Sequence, residues 1–346
     1  MRALLLDANQ PPRFYRGGAA IAAFRGRPEE GDDCPEDWVG STTSLFGQEE
    51  LGLSRLPSGE VLKATVAQDP EGWLGPRHVR RFGANPALLV KLLDAGQRLP
   101  VHCHPTDEFS RRHLDCPFGK TESWVIVETR TSDPAVHLGF RRDVDAETLA
   151  GWVERQEVES MLTALHRVPV KPGDAVLVPA GIPHAIGKGV FLVEVQEPTD
   201  LSVLLEWRGF DVDGARDGHL GLGYEQALSC VDRSGWEAGR LAALRCERGC
   251  GRSLGRGVEL ALPEEADRFF RAQRIRPDPE TRVEASFSVL VVIAGRGSLE
   301  TESGGVIALV RGHTVVVPFG AGTQVLRGGL EVIRCLPPEE GGAEDG

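Results

Sequence analysis

The chain has 346 residues, and its 39 lysines and arginines against 51 aspartates and glutamates give a formal net charge of −12. This acidic balance excludes the broad basic surface that binding to nucleic acid or to an anionic membrane requires. The length suffices for two domains, each with its own hydrophobic core. The first apolar run is too short for a signal peptide, and no segment approaches the roughly 18 apolar residues of a membrane span. We therefore expect a cytoplasmic protein.

Short apolar runs bounded by glycine, proline or aspartate recur along the chain, which contains 42 glycines and 23 prolines. This pattern is typical of an all-β barrel or sandwich. The strands predicted in the first part of the chain are residues 87–93, 123–127, 175–178, 190–195 and 201–205.

One segment departs from the strand pattern. In residues 145–167, Val158, Met161 and Leu165 follow helical spacing, and Asp145 is suited to cap the start of a helix. We predict a helical insertion there. A connection follows at 211–236, with a short helix near 224–231, and strand-like runs resume at 287–293 and 312–318.

Two segments of the chain share one spacing. Residues 173–184 and 312–323 both fit the frame G-x5-P-x-G-x2-[H/T], with apolar residues filling the x5 stretch. A repeat of this kind predicts two related domains. We expect an N-terminal metal-binding domain over 1–210, a connection over 211–236 and a C-terminal domain over 237–340. The second copy has Thr323 where the first has His184, so this domain would carry no metal.

The candidate metal ligands lie in two motifs. Gly96 begins G-x5-H-x-H, which contains His102 and His104, and Gly173 begins G-x5-P-x-G-x2-H, which ends at His184. Together they fit the two halves of the cupin motif and predict a fold of two cupin-type β-barrels, or jelly rolls. Alternate residues of a strand share one face, so His102 and His104 would point into the same barrel. Imidazoles favour zinc, iron, manganese, nickel or cobalt over calcium or magnesium.

Two glutamates compete as the carboxylate ligand. Glu108 lies at the usual spacing after His104, but its surroundings indicate an exposed turn or short helix. Glu122 begins an apolar strand and could point inward beside the histidines. Spacing favours Glu108 and strand context favours Glu122.

Several further motifs resemble class I mannose-6-phosphate isomerases in their shorter bacterial form, and the resemblance covers nearly the whole chain. They are Gly17-Gly18, Pro35-Glu-Asp-Trp-Val-Gly-Ser41, Lys91-Leu-Leu-Asp-Ala95, Leu99-Pro-Val-His-Cys-His-Pro105, Gly119-Lys-Thr-Glu122, Val178-Pro-Ala-Gly181, His184-Ala-Ile-Gly187 and Glu194-Val-Gln196. The resemblance implies one Zn²⁺ held by His102, His104, Glu122 and His184. It thereby selects Glu122 over Glu108.

The same resemblance implies a reaction. The enzyme would interconvert mannose 6-phosphate and fructose 6-phosphate through an enediolate, with the metal polarising the carbonyl and a protein group moving the proton. Lys120, which would share the inward face of Glu122, is a candidate for this work. Glu194 and Asp200 are the other two. The partner would be a small-molecule sugar or sugar phosphate, and the oligomeric state is not predicted.

The chain departs from the family at Leu204, where the resemblance places an arginine four residues after Asp200. Leucine offers neither the charge nor the paired donors of a guanidinium. Arg208 would lie about 13 Å further along a strand and could not replace it. Two alternatives follow from this departure: an isomerase of another or unphosphorylated sugar, and a sugar-binding cupin without turnover. Independently of Leu204, the metal motif would also suit an iron-dependent cupin oxygenase, but the whole-chain resemblance to the isomerases argues against it.

Overall fold

The computed structural model describes residues 1–249 and 251–338. In the first part of the chain the strands are β1 (Leu4–Leu5), β2 (Glu36–Val39), β3 (Leu89–Asp94), β4 (His102–Cys103), β5 (Glu122–Thr129), β6 (Ala135–Phe140), β7 (Leu165–Pro169), β8 (Ala175–Val178), β9 (His184–Ile186), β10 (Val190–Gln196) and β11 (Val203–Leu204). The later strands are β12 (Arg245–Cys246), β13 (Ser253–Gly255), β14 (Val258–Leu260), β15 (Arg271–Ile275), β16 (Glu280–Val283), β17 (Ser288–Thr301), β18 (Gly305–Val310), β19 (Thr314–Val317) and β20 (Gln324–Leu336).

The helices are short and lie mainly in the first part of the chain. They are α1 (Ala19–Arg25), α2 (Leu62–Gln68), α3 (Pro70–Leu74), α4 (Pro76–Phe82), α5 (Asp107–His113), α6 (Ala146–Arg155), α7 (Val158–Ala164), α8 (Gly214–Asp217), α9 (Tyr224–Ala227) and α10 (Ala238–Ala243). Three short 3₁₀ segments occur at Leu228–Cys230, Glu264–Ala266 and Phe319–Ala321. The prediction of a mainly β fold is confirmed.

The strands form three antiparallel sheets. A six-stranded sheet has the order β12-β8-β5-β10-β3-β2, and a five-stranded sheet has the order β11-β4-β9-β6-β7. One cluster of buried side chains contains residues of both, including Val125 and Leu192 from the first sheet and Val136 and Ile186 from the second. The two sheets therefore pack against each other, and the histidine-bearing strands β4 and β9 are neighbours within the second.

The third sheet has nine strands, with the path β1-β19-β17-β20-β15-β14-β13 and with β16 and β18 attached to β20 and β17. It encloses a core of its own that includes Leu290, Leu299 and Leu326. Two strands cross the predicted domain boundaries, since β1 pairs with β19 and β12 pairs with β8. The division at 210 and 237 stays a prediction, and its last two residues, 339–340, lie outside the described residues.

The two copies of the G-x5-P-x-G frame have the same local structure at their start. Gly173 and Gly312 have positive φ angles, 96° and 92°, and each precedes a buried four-residue strand, β8 or β19. Glycine adopts such angles without the steric cost that a Cβ brings. The frame therefore marks the same turn and strand twice.

The predicted helical insertion is two helices and a strand rather than one helix. Asp145 caps α6 as expected, because its side chain accepts from the amide of Thr148. The chain then turns at Gln156, whose φ is 51°, before α7 begins. The apolar positions that extended the helical spacing to Leu165 misled the prediction, because Leu165 is the first residue of β7. At this turn the side-chain amide of Gln156 donates to the carbonyl of Val153, near the end of α6, at 2.8 Å.

Leu290 tests how far the third sheet depends on its core. Its side chain is completely buried, whereas Val306 on β18 is 66% exposed. We expect Leu290→Ala to lower the free energy of unfolding by about 2–5 kcal/mol, because it removes buried methyl groups and leaves a cavity. Val306→Ala, as the control, should stay within about 0.5 kcal/mol of the parent in the same denaturant titration. Equal effects of the two substitutions would contradict this packing.

Candidate metal centre and active site

Three buried histidines meet where β4 and β9 pair. His102 lies directly opposite His184 in the antiparallel register, and His104 lies two residues after His102, just beyond the end of β4. The ring centroids are 4.2 Å apart for His102 and His184, 4.9 Å for His102 and His104, and 4.8 Å for His104 and His184. One ring nitrogen from each residue lies within 4.8 Å of the others, so the group could hold a metal ion. The structure thus brings together the three predicted histidines.

Backbone carbonyls orient all three rings. The Nδ1 atoms of His102, His104 and His184 lie 2.8 Å from the carbonyl oxygens of Pro100, Leu201 and Ile182, respectively, and donate to them. A hydrogen on Nδ1 leaves the lone pair on Nε2, which is the form that binds a metal. The buried Nε2 of His184 has no hydrogen-bond partner. The donor set therefore fits a divalent transition metal.

His102 and His104 are held in their neutral form. Burial lowers the pKa of His104 to about 3, and the positive charge of Lys120 contributes in the same direction. Burial and the neighbouring histidines hold the pKa of His102 well below its usual value. Metal ligation requires neutral imidazole, so the site needs little deprotonation at neutral pH.

Glu122, the first residue of β5, contacts two of the histidines. Its Oε2 lies 3.1 Å from Nε2 of His104, and its Oε1 lies 3.3 Å from Nε2 of His184. Burial alone would raise the pKa of Glu122, but Lys120 and the histidines hold it well below its usual value. The indole of Trp124 donates to Oε1 at 2.9 Å. The carboxylate is therefore ionised, oriented and in contact with the histidine cluster.

Glu108, the competing carboxylate, is exposed on α5. It lines a separate cavity of about 530 Å³ together with Arg111. The structure therefore brings Glu122, and not Glu108, to the three histidines.

Lys120 precedes β5 rather than lying within it, yet it reaches the same site. Its Nζ donates to Oε2 of Glu122 at 2.8 Å and lies 2.7 Å from Nε2 of His104. Only 4% of the residue is exposed. The predicted inward orientation is thus observed, and the ammonium group lies on the side of the histidines that faces the other charged residues.

A small cavity of about 50 Å³ lies beside the histidines. Its lining includes the three predicted catalytic residues, Lys120, Glu194 and Asp200. It also includes four further charged side chains, Glu122, Arg13, Glu36 and Lys91, together with His102 and Leu204. Because its lining contains both carboxylates and cations, this cavity presents both acceptors and donors to a polar ligand.

Glu194 belongs to a chain of buried ion pairs. Lys91 Nζ lies 3.3 Å from Glu36, 3.4 Å from Glu194 and 4.0 Å from Asp200. Burial and the nearby Glu122 raise the pKa of Glu194 to about 7, against the opposite effect of Lys91. The Oε2 of Glu194 has no hydrogen-bond partner. Glu194 can therefore exchange a proton near neutral pH.

The sequence analysis missed Lys91, Glu36 and Arg13. Lys91 carried a usable signal, because a lysine within the apolar strand β3 must find a buried partner. Burial alone would lower its pKa, but Glu36, Glu194 and Asp200 raise it. Arg13 lies in an irregular segment and carried no comparable signal.

Leu204 faces the cavity where the resemblance expected an arginine. It is the last residue of β11, pairs with His102 and is 5% exposed. Arg208 bonds the carbonyl of Arg155 and does not line this cavity. The expectation that Arg208 cannot replace the missing arginine agrees with this placement.

Comparisons with known proteins address the fold and the family. No protein-family model matches the chain. The chain is 34% identical over 208 residues to mannose-6-phosphate isomerase ManA of Bacillus subtilis, which covers 59% of this chain and 61% of that protein. It is 30% identical over 198 residues to the mannose-6-phosphate isomerase of Streptococcus mutans, covering 55% of this chain and 57% of the relative. The aligned region thus spans less than two thirds of either relative.

Solved structures match over almost the full length. The mannose 6-phosphate isomerase of Bacillus subtilis superposes with a TM-score of 0.75 at 20% identity and covers 97% of this chain and 99% of that one. A mannose 6-phosphate isomerase bound with zinc and yttrium gives a TM-score of 0.73 at 15% identity, covering 98% and 100%. The chain therefore shares the fold of these solved structures. The resemblance to class I mannose-6-phosphate isomerases is confirmed, in sequence over 59% of the chain and in fold over 97% of it.

His184→Ala tests whether the cluster holds a metal. We expect the parent protein to contain about one divalent transition-metal ion per chain and the variant to contain almost none, because one of three imidazoles is lost. Metal content after dialysis, measured by atomic emission, provides the readout. His113→Ala on α5 is the control, since this histidine lies outside the cluster. Full metal content in His184→Ala would show that the ion binds elsewhere.

Glu197 gives the region a pH-dependent stability. Burial and the neighbouring Asp107 raise its pKa to about 8, although it accepts from the amide of Thr121 at 2.7 Å. A carboxyl group with a raised pKa favours the folded state at low pH, and this contribution is lost as the pH rises toward 8.

We therefore expect Glu197→Gln to match the parent most closely near pH 5 and to be progressively more stable up to about pH 8. Thermal unfolding at a series of pH values measures the difference. Glu225→Gln, at an exposed position, is the control and should show a constant difference. A constant difference for Glu197→Gln as well would contradict the raised pKa.

Proposed function

We propose that the protein is a metal-dependent aldose-ketose isomerase that interconverts mannose 6-phosphate and fructose 6-phosphate. The observation that carries this proposal is the buried group of His102, His104 and His184, joined to Glu122 in a cavity that also contains Lys120. Similarity to mannose-6-phosphate isomerases in sequence and fold supports the same reaction. A cytoplasmic location belongs to the proposal.

Zn²⁺ is the metal we propose, held by His102, His104, Glu122 and His184. Three imidazole nitrogen donors and one carboxylate match the preference of zinc, and a structurally similar isomerase binds zinc. When bound, the ion would polarise the sugar carbonyl and stabilise negative charge on the adjacent oxygens. The protein keeps His102 and His104 neutral and Glu122 ionised, and backbone carbonyls orient the three imidazole rings.

Glu194 is the residue we assign to proton transfer. Its pKa of about 7 suits a group that both accepts and returns a proton at neutral pH. Its Oε2 accepts no hydrogen bond, and the ammonium group of Lys91 lies 3.4 Å from this same oxygen. Glu122, in contrast, is ionised and engaged on both oxygens.

Lys120 and Asp200 have supporting assignments. Lys120 places a positive charge beside the histidines, where it could donate to a sugar oxygen that gains negative charge. Asp200 accepts from Arg13 at 3.2 Å and lies near Lys91, so it orients both cations around the cavity. Its action on the substrate would thus pass through these cations.

Leu204 keeps a second function open, namely isomerisation or binding of an unphosphorylated sugar. The cavity wall at this position is apolar, and the cations lining the cavity are already paired with carboxylates. A phosphate group would therefore find no unpaired cation in the lining that the structure describes. Assays with mannose 6-phosphate, fructose 6-phosphate, free mannose and free fructose on the zinc-loaded protein separate these functions.

Turnover of the phosphorylated pair, with free sugars at least about 10-fold slower in kcat/KM, would establish the proposed reaction. A higher kcat/KM for free mannose and fructose would show that the substrate is an unphosphorylated sugar, while the reaction would still be an aldose-ketose isomerisation. Oxygen consumption with an iron-loaded protein would indicate an oxygenase instead. Binding of sugar without turnover would contradict the enzyme proposal altogether.

Glu194→Gln tests the proton-transfer role. We expect kcat to fall by about 10²–10⁴-fold, because glutamine keeps the shape but cannot carry the proton. Metal content should remain that of the parent, since Glu194 is not in the histidine group. Glu128→Gln at the partly exposed end of β5 is the matched control. A loss of less than about threefold in Glu194→Gln would assign the proton transfer to another group.

A further inference from the structure

Arg13 enters the metal cavity from a distant part of the sequence. Its backbone amide donates to the carbonyl of Asp33 at 2.7 Å, which fixes the segment that precedes Gly17. Its side chain is only 12% exposed and forms part of the cavity lining beside His102 and Glu122. An arginine buried to this degree within a ligand cavity requires partners and a reason for its placement.

Two carboxylates hold the guanidinium in one orientation. Nη1 and Nη2 of Arg13 lie 3.2 Å and 3.4 Å from the two oxygens of Asp200 and donate to them. Nε lies 3.3 Å from Glu36, but this nitrogen makes no hydrogen bond of acceptable geometry. A guanidinium has five N–H donors, and Asp200 uses one on each terminal nitrogen. Among the remaining donors, the buried Nε has no hydrogen-bond partner, and Arg13 lines the cavity in which an oxygen atom could accept from it.

Arg13 differs from the other cations in the same cavity lining. Lys120 is engaged by Glu122 and His104, and Lys91 lies between Glu36 and Glu194. Arg13 is the one arginine of this lining, within the part of the chain that the structure describes. A planar guanidinium donates through several parallel N–H bonds, which an ammonium group cannot do.

The size and charge of the cavity indicate which part of a sugar Arg13 would meet. About 50 Å³ of space cannot enclose a whole hexose phosphate, so it suits the carbonyl end next to the histidines. Asp200 and Glu36 already balance the charge of Arg13, which disfavours a phosphate dianion there. A single delocalised negative charge in a dry cavity is still well stabilised by fixed donors.

We propose that Arg13 is a substrate-contacting residue that donates to the oxygen carrying negative charge in the enediolate. The guanidinium would thus come from the N-terminal segment, and not from position 204 on β11, where the resemblance places an arginine. Asp200 and Glu36 are its positioning residues. Leu204 supplies an apolar part of the same cavity lining, which strengthens the electrostatic effect of the donors. This inference rests on the proposed isomerase function and names a further residue for that reaction.

The experiment uses the zinc-loaded full chain and measures kcat and KM for the two sugar phosphates. Arg13→Lys preserves the positive charge that Asp200 and Glu36 require but replaces the planar guanidinium, with its several N–H donors, by a single ammonium group. We expect kcat to fall by about 10-fold or more in Arg13→Lys and by about 10²–10³-fold in Arg13→Ala, with KM changed less than about threefold. Millimolar guanidinium chloride should restore part of the activity of Arg13→Ala and leave the parent unaffected.

Arg16→Ala is the matched control, because this nearby arginine is 68% exposed and pairs only with Asp32 among the contacts of the structure. It should keep parental kinetics. The double variant Arg13→Leu with Leu204→Arg provides an independent measurement, since it moves the guanidinium to another position of the same cavity lining. We expect it to be more active than Arg13→Leu alone. Metal content and melting temperature of every variant establish that the site is intact.

Three results would overturn the inference. The first is a parental kcat in both Arg13→Lys and Arg13→Ala. The second is a fall in kcat/KM that arises only from a raised KM. The third is a fall in kcat that parallels a loss of metal or a lower melting temperature and that guanidinium does not rescue. If Arg13→Ala does not fold, the kinetics of Arg13→Lys and of the double variant decide alone. An inactive parent protein would instead refute the proposed function. An active parent with unaffected Arg13 variants would refute only this inference.

Discussion

The site depends on the burial of many charges in one small volume. Removing a carboxylate or an ammonium group from water costs several kcal/mol unless partners replace the lost hydration. Around the three histidines, every such group has an opposite charge within 4.0 Å, through the pairs of Lys120 with Glu122, Lys91 with Glu36 and Glu194, and Arg13 with Asp200. The geometry of the site follows from this need for partners, since Lys91 and Arg13 each contact more than one carboxylate and so link the pairs into one network.

This requirement also explains why the site draws on so much of the chain. Arg13 and Asp200 are 187 positions apart, yet they form one ion pair. Glu194 on β10 meets Lys91 on β3 because these two strands pair in the register that places the residues opposite each other. The sheet therefore provides positions, and the charges fix the side chains. A metal at the histidines would add positive charge next to Glu122 and stabilise the same arrangement.

The sequence predicted the features that depend on local spacing. Strand β8 was predicted at its observed bounds, and the two histidine motifs placed His102 and His184 in strands that prove to be neighbours. The Asp145 cap was also correct. In each case a few adjacent residues contain the whole physical cause: alternation, a glycine with positive φ, or an oxygen that accepts from the first turn of a helix.

The features that the sequence did not reveal depend on distant contacts. Spacing could not decide between Glu108 and Glu122, because only the packing of β5 against β8 and β10 brings Glu122 to the histidines. Leu204 seemed to remove positive charge from the site, whereas the fold places Arg13 in the same cavity from a segment without regular structure. A missing residue in one motif therefore does not define the charge of a cavity. That charge is a property of all the segments that line it, and here the N-terminal segment alters the conclusion drawn from strand β11.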